Sequence, residues 1–126
     1  MPDPIDSDAR TRHAQRVREG QVAFNCGKFF EAHEIWEELW RDLVGRERVA
    51  VQGLIQIAAA LHHLQQGRSA PAVRLIDKGA RKVSQNPCPE LLADLRVDAL
   101  VRALARLVAD LGARQAVTPD LSGIDV

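Results

Sequence analysis

The stretch RERVAVQGLIQIAAALHHLQQG, residues 46–67, decides the fold. On a wheel of 3.6 residues per turn its apolar side chains (Val49, Val51, Leu54, Ile55, Ile57, Ala58, Leu61 and Leu64) fall on nearly every side. A helix that is apolar all round has no face for water, so it belongs in the centre of its domain. It is expected to run from about Arg46 to Gln66 and to stop at Gly67.

Reading outward, the flanking segments also carry helical signals. Asp6, Ser7 or Asp8 is suited to cap a first helix running to about Asn25, where Gly27 offers the left-handed position that ends it. A second helix follows from about Phe29 to Val44, closed by Gly45. Ser69 is a suitable N-cap for a fourth, amphipathic helix ending near Asn86, with Pro71 tolerated in its first turn. Pro89 can open a further helical stretch to about Leu111, with Val97 and Asp98 as a point where one helix ends and another is capped. No stretch alternates apolar and polar residues as a half-buried strand requires. The expectation is an all-α, compact bundle of five or six helices packed around the central buried helix. Residues 9–112 form the single domain, residues 1–8 are read as a disordered N-terminus and residues 113–126 as an irregular tail.

Composition narrows the function classes. The chain has 126 residues, enough for one hydrophobic core. Its 17 basic and 17 acidic residues cancel, so no global field draws it to nucleic acid or to an anionic membrane. No apolar run reaches the roughly 20 residues of a membrane span, and the acidic start MPDPIDSDAR is unlike a secretory signal. A cytoplasmic location is expected, with Cys26 and Cys88 as reduced thiols and Cys26 buried at a helix end. All five aromatics lie between Phe24 and Trp40. Aromatic bulk is concentrated at one place.

That place is FFEAHEIWEELW, residues 29–40. Phe29, Ala32, His33, Trp36, Leu39, Trp40 and Leu43 share one helical face, while Glu31, Glu34 and Glu38 share the opposite one. Glu37, one turn after His33, can meet it in an i, i+4 hydrogen bond and hold its tautomer. The third helix adds a polar row at Gln52, Gln56 and His63, and puts His62 within its apolar stripe. If the two helices pack antiparallel, these groups form a buried polar cluster. Such a cluster must be hydrogen-bonded internally, hydrated or ligated. The candidate binding residues are therefore His33, Trp36, Glu37, Trp40, Gln52, Gln56, His62 and His63. One reading makes them a core network that fixes helix register; another makes them the base of a site for a small molecule or protein partner.

Other chemistries find less support. HEIWE, residues 33–37, resembles a zinc-protease His-Glu-x-x-His motif whose second His is replaced, but Glu34 projects away from His33. No metal, cofactor or catalytic residue is assigned. Neither cysteine adjoins a histidine, and no glycine elbow presents a serine. Arg74, Lys78, Arg81 and Lys82 form a basic stripe on the fourth helix, and Arg10, Arg12, Arg16 and Arg18 crowd the first around His13. Without interleaved aromatics to stack bases, these stripes read as solvated faces, and nucleic acid is not the expected partner.

The blocks FNCGKFFEAHEIWEELW, GLIQIAAALHHLQQG and APAVRLIDKGARK together resemble domain of unknown function family 309, found in bacteria, archaea and plastids. The resemblance covers roughly residues 17–110 and is most specific in its first block. It implies an all-helical bundle with a central helix, and no established activity, cofactor or substrate. The chain departs from the family pattern at Arg68, Pro71 and Ala72, in a loop and a helix start. The function expected is a non-catalytic binding or scaffold domain, self-association included. The alternatives are a small hydrolase or metal-dependent enzyme using His33 and Glu37, and nucleic-acid or phosphate binding by the basic stripe.

Overall fold

The glycines placed by the sequence at the ends of the first and third helices adopt the left-handed conformation, with φ of 76° at Gly27 and 77° at Gly67. At each, the residue after the glycine donates its N–H back across the turn. Lys28 bonds to Ala23 O at 2.9 Å and Arg68 to His63 O at 2.9 Å. This pairing satisfies the last carbonyls of a helix and reverses the chain in a few residues. The computed structural model describes the backbone of residues 4–113 and 120–126, and the side chains of residues 8–112 and 120–126. Over these residues the chain is five helices and no strand: α1 (Pro4–Asn25), α2 (Phe29–Arg41), α3 (Gly45–Gln65), α4 (Ser69–Gln85) and α5 (Val97–Ala113).

Several boundaries differ from expectation, each for a local reason. α1 begins at Pro4, so residues 4–8, read as disordered, are helical. Proline suits a first turn because its ring presets φ and its missing N–H would have no partner there. Residues 1–3 lie outside the described residues. α2 ends at Arg41 and not at Val44, because Asp42 and Leu43 donate to Leu39 O and Trp40 O and tighten the last turn. Val44 is then extended and serves as the N-cap of α3, so Gly45, with φ 62°, opens the third helix instead of closing the second. The N-cap of α4 is Arg68, one residue before Ser69, and no side chain caps it. Pro89 starts turns, not a helix, and α5 opens at Val97.

The tail read as irregular has no helix over residues 120–126, but it is docked. Val126 is buried; its N–H donates to Asn25 Oδ1 at 2.7 Å and its backbone oxygen accepts from Arg96 N at 2.8 Å. Residues 114–119 of that tail lie outside the described residues.

α3 occupies the centre as its wheel requires. Ala50, Val51, Gly53, Leu54, Ile57, Ala58, Ala60, Leu61 and Leu64 are all buried. α2 and α4 both pack on it, α1 packs on α2, and α5 on α4. On the α4 side the two backbones almost touch, because a Cβ built at Gly79 would lie 2.6 Å from Gly53 O and one at Gly53 would lie 2.7 Å from Gly79 O. On the α2 side His62 meets Phe30, with ring centroids 5.2 Å apart. Gly53 and His62 are nine residues apart, about half a revolution at roughly 100° per residue. α2 and α4 therefore flank α3 on opposite sides.

α2 is held to α1 by Trp36, the largest fully buried side chain. Its indole N–H donates to Val17 O at 3.3 Å, and its ring lies 5.7 Å from that of Phe24. Phe24 in turn meets Phe29 edge-on at 5.0 Å. A methyl group at Gly20 would fall within the Trp36 indole. The mid-helix glycines thus mark close approach: Gly20 admits a ring, and Gly53 and Gly79 admit each other.

Candidate binding face between α2 and α3

The helix α2 buries Phe29, Ala32, Trp36 and Leu39, which leaves His33, Glu37 and Trp40 at the margin of that stripe. His33 and Glu37 face each other at i, i+4 with Nε2 and Oε2 3.6 Å apart, too long for the hydrogen bond expected, and with side chains 27% and 42% exposed. The pair lies at the rim and not inside the core. Trp36 lies apart from it, committed to α1. Of His33, Trp36, Glu37 and Trp40, Trp36 alone is thus committed to the α1 interface.

Beside His33, Phe30 stacks at 5.9 Å between centroids and also reaches His62. Trp40, at the other end, carries the Arg48 guanidinium over its ring at 4.0 Å from the centroid. Arg48 Nη1 donates to Leu43 O at 3.3 Å, which fixes that guanidinium across the short α2–α3 link. Gln52 and Gln56 lie half-buried on α3. His63 points elsewhere: its Nδ1 accepts from Arg68 Nε at 3.0 Å in the α3–α4 turn. Desolvation, then the charges of Arg68 and His62, hold the His63 imidazole below its ordinary pKa.

Three atoms of the α2–α3 pair are buried without a hydrogen-bond partner among the described residues: His33 Nδ1, Trp40 Nε1 and Gln56 Oε1. The indole offers a donor, the amide oxygen an acceptor, and the imidazole nitrogen either, according to tautomer. An unpaired buried polar group costs about 1–3 kcal/mol. Exposed apolar side chains bracket the face, with Phe30 51% and Val44 79% exposed. Wheel reasoning passed over Phe30 because it falls outside the apolar stripe of α2; an aromatic on the polar side was itself a signal. Arg48 had none, since its contact with Trp40 forms only when α3 folds back on α2.

Among the described residues no three His, Cys, Asp or Glu side chains converge as a metal site would need. Cys26 is exposed, not buried as expected, because it stands in the turn between α1 and α2; Cys88 is buried, and both are free thiols. Burial, with the Glu47 carboxylate, pushes the Cys88 thiol up despite Arg46. Its Sγ donates to Asn86 O at 3.2 Å.

A family model described as "Domain of unknown function (DUF309)" matches residues 17–75, from the middle of α1 to the first half of α4. An uncharacterized protein of Aquifex aeolicus (strain VF5) is 32% identical over 81 residues. The match takes in 64% of this chain and 24% of that protein, so the chain spans about a quarter of that relative. The crystal structure of a conserved hypothetical protein from Thermus thermophilus is similar at a TM-score of 0.62 and 32% identity. That likeness covers 73% of this chain and 94% of the other.

Proposed function

The chain belongs to domain of unknown function family 309, and from that premise we infer a non-catalytic binding role with the α2–α3 face as a docking surface for a protein partner. The family brings no activity with it, so the reading rests on chemistry. The observation that carries it is the row of three buried, unpaired polar atoms on His33, Trp40 and Gln56, bracketed by exposed Phe30 and Val44. A partner that covers the apolar ends and inserts a donor and an acceptor between the two helices to reach these enclosed atoms removes both costs. Catalysis is less well supported: His33 has Glu37 within 4 Å, but Cys26 lies in the turn after α1 and Cys88 beyond α4, away from that pair in the chain.

Site-specific photo-cross-linking tests this. A photoreactive side chain at Phe30 or Val44 is expected to trap a discrete adduct in cells, and Gln56→Leu to abolish it while the far-UV circular dichroism stays native. The same group at Val22, exposed on α1, is the reference. Equal adducts from Val22, or adducts indifferent to Gln56→Leu, overturn the reading.

A further inference from the structure

The outward faces of α2 and α4 carry opposite charge in matching order. On α2, Glu31, Glu34 and Glu38 are exposed, at spacings of three and then four residues. On α4, Arg74, Lys78 and Arg81 are exposed, at spacings of four and then three. Laid antiparallel, the two rows fall into register: Glu31 opposite Arg81, Glu34 opposite Lys78, Glu38 opposite Arg74. Both rows run over seven residue-to-residue steps, about 10 Å of helix at 1.5 Å per step.

Within one molecule these rows cannot meet, because α2 and α4 flank α3 on opposite sides. Glu38 reaches Arg16 at 3.0 Å and Arg81 reaches Asp77 at 3.3 Å. Among the described residues, Glu31, Glu34, Arg74 and Lys78 have no ion pair. The chain as a whole is neutral, with 17 charges of each sign, so no net repulsion keeps copies apart.

We propose that a second copy of this chain docks its α4 basic row on the α2 acidic row. The proposal goes beyond the binding reading, because the acidic row lies on the face of α2 opposite His33 and Trp40 and is a second surface. The contact joins two different faces, so it is head to tail: each copy keeps one free acidic and one free basic row, and association proceeds beyond a pair unless a ring closes. Exposed charges attract over a screening length of about 30 Å at 0.01 M salt and about 3 Å at 1 M. Assembly should therefore form in low salt and disperse in high salt.

Sedimentation velocity on the full chain reads the outcome. The expected result is a concentration-dependent mass at least twice the 13.9 kDa of one chain at low ionic strength, falling to one chain at high salt. Glu31→Lys with Glu34→Lys makes both rows basic, and Arg74→Glu with Lys78→Glu makes both acidic. Each double variant alone should sediment as a monomer, and an equimolar mixture should recover the wild-type mass, since every basic row then finds an acidic one. Circular dichroism of each variant confirms that it is folded; if a variant fails to fold, Glu34→Lys mixed with Lys78→Glu replaces the pair. A wild-type chain that stays monomeric at low salt overturns the proposal, as does a mixture that fails to recover. Cross-links from Phe30 to a different protein, together with a monomeric chain, would sink this inference and leave the binding reading standing.

Discussion

Gly79→Ala is the substitution that most directly tests the packing of α3 against α4. In a helix with nothing beside it, replacing glycine by alanine stabilises by roughly 0.5–1 kcal/mol, because the unfolded chain loses conformational freedom. At Gly79 the added methyl would lie 2.6 Å from Gly53 O, 2.8 Å from Ile57 Cγ1 and 3.2 Å from Ile57 N. Ordinary contact begins near 3.4 Å, so the carbonyl would have to withdraw by about 0.8 Å. Two of the three atoms are backbone of the buried central helix, and no rotamer change can move them. The helices must separate, opening the seam that Ile57, Ile76 and Val83 fill. Overpacking of this kind costs about 1–3 kcal/mol and outweighs the propensity gain, for a net loss of about 1–2 kcal/mol.

The assay is urea denaturation followed by circular dichroism at 222 nm. Gly112→Ala is the control, since nothing lies within 4 Å of a methyl there and its φ is not positive. It should hold or raise stability by up to about 0.5 kcal/mol. Gly53→Ala should behave like Gly79→Ala, because it meets Gly79 O at 2.7 Å and Val83 Cγ2 at 2.7 Å. The double variant should lose less than the sum of the two, because helices already pushed apart admit the second methyl more easily. A Gly79→Ala protein as stable as Gly112→Ala would refute this account of the interface.

Three further outcomes follow from the geometry. Gly20→Ala drives a methyl into the buried Trp36 ring and should cost about 3 kcal/mol with a change in indole fluorescence; a wild-type urea midpoint would contradict the α1–α2 packing. Glu37→Gln should change stability by less than about 1 kcal/mol, since the rim contact of Glu37 with His33, 42% and 27% exposed, is largely screened; thermal unfolding that reports a larger loss would return the pair to the core. His63 has its pKa lowered from 6.5, so between that value and its folded value the unfolded chain binds more protons than the folded one. Stability should thus fall as pH drops through that window, as the Arg68 Nε–His63 Nδ1 bond is lost. His63→Gln should flatten this slope in pH-dependent unfolding, and a slope unaltered in the variant would assign it to other groups.

Much of the architecture is legible from local chemistry. Apolar residues on nearly every side of residues 46–66 can be satisfied only at the centre of a bundle, whatever the neighbours are. Gly27 and Gly67 end helices because a left-handed residue with its back-bonded successor is a local solution. Helix boundaries slipped by a few residues where the deciding bonds join the ends of two elements, as at Val44, Gly45 and Arg68. The candidate site was legible in its ingredients and not in its sorting. His33 and Glu37 meet as their spacing requires, and His62 faces α2 across Phe30. Trp36, by contrast, goes to α1, and His63 to Arg68.

Local periodicity and turn chemistry, which act over a few residues, mark the central helix and most of the helical segments, but not residues 4–8 or the turns of residues 89–96. Only the tertiary structure decided which side of α2 each polar group occupies, where Arg48 lies, that Val126 is docked on Asn25 and Arg96, and that Gly53 and Gly79 press backbone to backbone. Those facts depend on contacts between residues distant in the chain, and an apolar stripe records that a face is covered without recording what covers it.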